Sequence, residues 1–501
     1  MNPPAIQVDF DQQLQNARQL WQIGRQAAAL KAYAQLVKDF PQNNVWEEYG
    51  QAAAAAGEFD LAEQLWEKVR SIGPNTGTLL AKTAVEYGKI WLFAKARALS
   101  FEAANLEPGN AAVQLSLASF LARTNSVEEA RATVDKCLKL DPQSESARYL
   151  SAHLYRREHK MAEAEQRFRD LLRSDLRDPT VNYFCHFELA RILDATERYD
   201  EAMTELEEAK RLGAQTINVP EAQRIFDQRR ERTLSKTKAL PKNILDIWAQ
   251  SFPPQARTAP MPLVFLGGHA RSGTTLLERI LDAHPAVAAC DEALAFQTIA
   301  PLIDVSLPEI PAEGLNFLRR RYIKNLTKVL ERPPEGGILL DKNPPATAYL
   351  PSFLRAFPEL KTLIALRDPR DVMVSCYFQD LIQVSHFSLP ALVQHYRCVM
   401  DVWLIVREWD NLAWMETRYE DIVTDLKKEG TRVTKFIGLE WHDNQAVFYE
   451  KNREKPVMST NYNDVTRPVY KKSVGRWQAY EKYLAPILPA LEPYCREFGY
   501  T

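Results

Sequence analysis

Apolar residues in the first two fifths of the chain recur at intervals of three and four, as in Tyr33, Leu36 and Val37, or Leu61, Leu65 and Trp66. That spacing puts them on one stripe of a helix. Prolines fall at 41, 74, 108, 142 and 179, intervals of 33, 34, 34 and 37 residues. Twelve residues before the first four stand Ala29, Ala62, Ala96 and Ala130; Ala164 lies three residues further back from the fifth. A sixth unit lacks the proline and runs through Leu189, Tyr199, Ala202 and Leu206. A small residue at a fixed place lets two helices of a hairpin approach, and the proline stops the second helix. From residue 262 the pattern changes. The short apolar run Leu263–Leu266 reads as a buried parallel strand, and Val287–Ala289, Ile338–Leu340, Leu363–Leu366 and Ala413–Thr417 read as further strands.

The first pattern resembles the tetratricopeptide repeat, a helical hairpin of about 34 residues that buries its apolar face by stacking on its neighbours. The array is expected over residues 11–215, in about six repeats. Residues 216–261, with Arg229, Arg230, Glu231 and Arg232 and then Pro241, Pro253, Pro254 and Pro260, read as a capping helix and linker. Residues 262–501 are the expected α/β domain. The array either spaces and stabilises that domain or holds a peptide or protein partner.

Charge and cysteines narrow the function. The formal net charge is −2, which argues against a chain built to coat nucleic acid. The six cysteines form no CxxC pair, so neither a zinc site nor a disulfide framework is expected. The start MNPPAIQVDFDQQ lacks the basic flank and apolar run of a signal peptide, and no apolar stretch is long enough to span a membrane. These features read as a soluble, cytoplasmic protein.

After the first strand come Gly267, Gly268, His269, Ala270, Arg271, Ser272, Gly273, Thr274 and Thr275, followed by Leu276, Leu277, Ile280 and Leu281 at helical spacing. Strand, glycine-rich turn and helix present free backbone N–H groups to an anion. Gly268 and Gly273 match the spacing of GxxxxGK[ST], but Thr274 stands where the lysine belongs. That counts against hydrolysis of ATP or GTP; Arg271 supplies a cation instead.

Arg271-Ser272-Gly273-Thr274-Thr275 after a strand resembles the 5′-phosphosulfate loop of sulfotransferases that use 3′-phosphoadenosine-5′-phosphosulfate (PAPS). Residues 361–381, KTLIALRDPRDVMVSCYFQDL, resemble the family's 3′-phosphate signature, with Arg367 ending a strand and Ser375 eight residues on. Tyr419-Glu420-Asp421 and Lys472-Ser473-Val474-Gly475-Arg476-Trp477 are also family-like. Repeats followed by this domain resemble bacterial tetratricopeptide-containing sulfotransferases, similar to the protein-tyrosine branch.

The resemblance implies a P-loop-like fold with a central parallel sheet, PAPS as donor, the desulfated nucleotide PAP as product, and no required metal. It implies that Arg271, Ser272, Gly273, Thr274 and Thr275 hold the 5′ end of the donor, and that Arg367 and Ser375 grip its 3′-phosphate. Lys471 and Lys472 are expected to close over that phosphate and Tyr419 to meet the adenine. Glu292 is the expected base, with Asp291 as competitor. Lys342, with Arg271, is the expected stabiliser of charge. His269, His284, His386 and His395 sit in no comparable motif. Asn461 stands where relatives often carry a serine, with Ser459 and Thr460 as alternatives. The expected acceptor is a tyrosine of a peptide or protein held partly by the array. Carbohydrate or lipid hydroxyls, small phenols, or an inactive domain on a repeat scaffold are the alternatives.

Overall fold

A computed structural model describes residues 3–22, 25–41, 45–258, 262–307, 309–330, 337–452 and 468–500. The chain divides into two compact units, residues 1–120 and 121–501. The first unit holds α1 (Pro3–Gln22), α2 (Gln26–Asp39), α3 (Trp46–Ala55), α4 (Phe59–Ile72), α5 (Gly77–Lys89), α6 (Phe93–Leu106) and most of α7 (Ala111–Arg123). The second opens with α8 (Val127–Leu140), α9 (Glu145–Arg157), α10 (Met161–Arg173), α11 (Pro179–Ala195) and α12 (Tyr199–Ala214).

The alternation of helices follows from the repeated residues. Ala29, Ala62, Ala96, Ala130, Ala164 and Ala202 are all wholly buried, one in each even-numbered helix. Pro41, Pro74, Pro108 and Pro142 each stand two residues beyond the end of a helix, where the residue before proline resists the helical conformation. Pro179 instead opens α11, where Asp178 accepts the Thr180 N–H at 2.8 Å. A second periodic feature lies in the turns within hairpins. Gly57, Trp91, Asn125, His159 and Glu197 all have φ between 62° and 77°. The N–H after each closes back five residues, for example Lys160 to Tyr155 O at 3.0 Å and Arg198 to Leu193 O at 2.8 Å.

Five parallel strands form the sheet of the second unit: β1 (Leu263–Gly268), β2 (Val287–Asp291), β3 (Ile338–Lys342), β4 (Lys361–Leu366) and β5 (Trp414–Arg418). Their order is β2-β3-β1-β4-β5. β1 is buried along its whole length. The chain works to one side of β1 through β2 and β3, then crosses to β4 and β5. That reversal opens a crevice at the carboxyl ends of the central strands. One face packs against α15 (Thr274–Asp282), α20 (Tyr419–Thr424) and α21 (Leu426–Ile437). The other packs against α16 (Ala312–Lys328), α17 (Leu350–Ala356) and α19 (Leu389–Val406).

The last repeats are not separate from this domain. Phe168, Phe187 and Leu206 belong to the same apolar core as Phe265, Phe353 and Trp403. Lys210 of α12 donates to Gln379 O at 2.9 Å, and Arg191 of α11 pairs with Asp380 at 3.2 Å. The stretch after the repeats folds into α13 (Val219–Lys238) and α14 (Ile244–Ser251). Arg230 donates to Gln394 of α19 at 2.8 Å, while Arg229, Glu231 and Arg232 are exposed. All six cysteines are free, and among the described residues no helix is long and apolar enough to cross a membrane.

Candidate active site

The loop between β1 and α15 is built around backbone that only certain residues adopt. Gly268 has φ +115°, and a Cβ there would stand 2.3 Å from Ala365 O of β4. Gly273 has φ +86°, and a Cβ there would stand 2.7 Å from the Tyr419 ring. Thr347 braces the loop, its Oγ1 accepting from Gly268 N at 2.9 Å and donating to Gly268 O at 3.1 Å. Gly273 precedes the first turn of α15 and supplies no side-chain cap, which leaves the first N–H groups of the helix for an anion.

Arg271 is itself left-handed, φ 72°, and its Nε donates to Ser375 Oγ at 3.0 Å. Ser375 lies in the last turn of α18 (Pro369–Tyr377). Arg367 closes the triangle, donating to the Arg271 carbonyl at 3.3 Å and to Ser473 O, with its guanidinium 4.9 Å from the Tyr419 ring centre. Its buried Nε has no hydrogen-bond partner among the described residues. The two expected anion sites are thus one connected surface. Ser272 is buried within the loop, and Thr274 and Thr275, at the start of α15, line the cleft.

The carboxylates stand at the ends of β2 and β3. Glu292 has φ +54°, a conformation costly for a residue with a side chain, and its N–H donates to Lys342 O at 2.8 Å. Lys342 is wholly buried, and its ammonium pairs with Asp291 and with Glu292, the latter at 2.7 Å. Burial opposes the charge of Lys342, but the two carboxylates outweigh it and hold the group above its ordinary range. The side chain of Glu292 is 44% exposed, against 12% for Asp291. Asp291 is also tied to Arg279 at 3.4 Å, so Glu292 is the carboxylate of the two that faces the cleft.

A cleft of about 640 Å³ joins these parts, lined by Arg271, Thr275, Glu292, Arg367, Ser375 and Tyr419 among others. Three expected residues, Lys342, Lys471 and Lys472, stand apart from it. Lys342 lies behind the carboxylates, and Lys471 and Lys472 are exposed and outside the cleft walls. Ser459, Thr460 and Asn461 lie outside the described residues. Several participants carry no local sequence signal. Asp371, four residues after Arg367, accepts from Gly475 N and Trp477 N, each at 2.8 Å, and so anchors the segment bearing Ser473. His269 and His395 share a hydrogen bond of 2.9 Å beside the cleft. Burial pushes His386 down to about 3 and His395 to about 4, so both rings are neutral near pH 7.

Residues 262–443 match the sulfotransferase family, and residues 14–75, 111–144 and 149–215 match the tetratricopeptide repeat. The chain thus joins segments similar to the tetratricopeptide repeat to one similar to the sulfotransferase family. Its particular relatives are distant. An uncharacterized protein of Aquifex aeolicus (strain VF5) is 24% identical over 469 residues, covering 86% of this chain; the match spans only 57% of that protein's own length. Protein-tyrosine sulfotransferase 2 of Gallus gallus is 24% identical over 323 residues, covering 58% of this chain and 83% of that protein. Among solved structures, the sulfotransferase domain of the Synechococcus PCC 7002 olefin synthase is 18% identical with a TM-score of 0.33, covering 45% of this chain and 90% of that domain.

Proposed function

We propose that the protein transfers a sulfuryl group from PAPS to a hydroxyl, with a peptide tyrosine as acceptor. In this reading the array covers residues 11–215 and the catalytic domain residues 262–501. The observation that carries it is the hydrogen bond from Arg271 to Ser375, with Arg367 on the Arg271 carbonyl. A donor with phosphates at both ends of its ribose needs two anion sites at a fixed separation, and that contact ties them together. The residues fit such a guest: uncapped N–H groups at α15, a buried Nε on Arg367 with no partner among the described residues, and a glycine where a side chain would meet Tyr419.

The acceptor oxygen attacks sulfur, forming the new S–O bond, while the S–O bond to the 5′-phosphate breaks and its electron pair stays on the phosphate. Arg271 and the α15 N–H groups meet the charge that develops there. Glu292 takes the acceptor proton, and a tyrosine hydroxyl with an ordinary pKa near ~10 needs such a base near neutrality. Lys342 acts from behind, fixing the Glu292 carboxylate.

Incubating the full chain with radiosulfur-labelled PAPS and a panel of tyrosine peptides, glycans, lipid alcohols and small phenols tests this reading. Label on tyrosine, lost in Glu292→Gln, is the expected result. Label only on another hydroxyl class overturns the acceptor assignment, and no label on any acceptor overturns the transferase reading.

A further inference from the structure

Asp194 sits in the last turn of α11, where a carboxylate faces the negative end of the helix dipole and gains nothing from its own helix. Its partners lie 282 and 286 residues away in sequence. Arg476 reaches it at 2.9 Å, and the Tyr480 hydroxyl donates to the same oxygen at 2.6 Å. Both partners belong to the C-terminal segment whose Ser473 carbonyl accepts from Arg367. That segment is clipped at two points. Asp371 of α18 holds the N–H groups of Gly475 and Trp477, and Gly475 adopts φ +72° between them. Asp194 holds the side chains that follow, with the Arg476 guanidinium laid 4.6 Å from the Phe378 ring centre. Asp194 and Arg476 are each about one-fifth exposed and both face the cleft.

We infer that Asp194, a residue of the repeat array, is a positioning residue for the donor's 3′-phosphate site. It fixes the segment from Ser473 to Tyr480, and that segment fixes Arg367. The final repeat hairpin is thereby a structural part of the donor site. Without Asp194, Arg476 loses its carboxylate, and the Ser473 carbonyl is held from the Asp371 side alone. The inference rests on the reading of Arg367 as a donor ligand.

The test is calorimetric titration of PAP into the full chain, with wild type beside Asp194→Asn, Arg476→Lys, Arg367→Ala and Asp200→Asn. Asp200 is the control: it pairs with Lys482 at 2.7 Å and Tyr483 at 2.8 Å across the same junction but away from the cleft. Loss of a charged hydrogen-bonded pair should weaken PAP binding about tenfold in Asp194→Asn. Arg476→Lys, which keeps the charge but loses the planar fork, should fall between that variant and wild type. Asp200→Asn should bind as wild type does. The double exchange Asp194→Arg with Arg476→Asp should recover part of the loss. In steady state Asp194→Asn should raise the donor KM and leave kcat near wild type, a split that general destabilisation does not produce. Wild-type affinity in Asp194→Asn, with binding lost in Arg367→Ala, overturns the inference and leaves the donor site standing. Absence of PAP binding by wild type overturns both.

Discussion

Arg271 in the loop after β1 donates from Nε to Ser375 Oγ on α18 at 3.0 Å. A residue assigned to one end of the donor therefore holds a residue assigned to the other. Ser375→Ala should reduce PAP affinity by roughly three- to tenfold, the effect of one lost hydrogen bond near charged groups. Ser375 is a short helical side chain, so the melting temperature should hardly change. Calorimetry on the variant checks both; unchanged affinity would place Ser375 in packing alone.

The two neighbouring carboxylates should separate by phenotype. Glu292→Gln should lower turnover by about 10²- to 10⁴-fold while PAP still binds, as expected for a lost general base. Asp291→Asn should instead destabilise the fold by about 3 kcal/mol, because it leaves Lys342 and Arg279 short of a buried partner. Turnover assays and chemical denaturation on the pair decide between them, and exchanged phenotypes would make Asp291 the base.

Two glycine substitutions should have opposite signs. Gly273→Ala forces a side chain into a left-handed residue and against Tyr419, at a cost of roughly 1–3 kcal/mol and with loss of PAP binding. Gly314→Ala, in α16 with open space around it, should stabilise by about 0.5–1 kcal/mol. Melting curves of both variants provide the check.

Asp341 gives a pH dependence of known sign. Burial raises its carboxyl to about 7, although the Tyr322 hydroxyl, which donates to it at 2.7 Å, favours the charged form. A folded pKa above the unfolded one means that the native state binds the extra proton. The associated stability is present below the unfolded pKa near ~4 and is lost as pH rises through about 7. Wild type should therefore lose stability between pH 5 and 8 relative to Asp341→Asn, by an amount on the order of a few kcal/mol. Denaturant titrations at those two values test it; parallel profiles would contradict the assignment.

Much of this architecture could be read in the sequence because burial on two sides leaves a plain mark. The first four strands were visible as apolar runs, whereas β5 is only partly buried and mixes polar with apolar residues, and the hairpins were visible through Ala62 and its counterparts. The glycine loop was visible because an anion needs backbone N–H groups, and few residues tolerate φ near +90°. The left-handed turns at Trp91, His159 and Glu197 were not, because those residue types give no hint of that conformation. The same holds for Arg271 and Glu292, whose strain is imposed by the loop and by pairing with β3. Lys342 reads as an available cation until its burial between two acids is known. The fusion of the last repeats to the catalytic core depends on Lys210, Arg191 and Asp194 meeting partners 169 or more residues away, which no local pattern records.

The proposed donor is a nucleotide with phosphates at both its 5′ and 3′ positions, held in one cleft. The most direct measurement is calorimetric binding of PAP beside ATP and AMP at equal salt, on wild type and on Arg367→Ala. PAP should bind far more tightly than AMP or ATP, and Arg367→Ala should lose this preference. Equal affinity for PAP and ATP, or a preference that survives Arg367→Ala, would contradict that donor assignment.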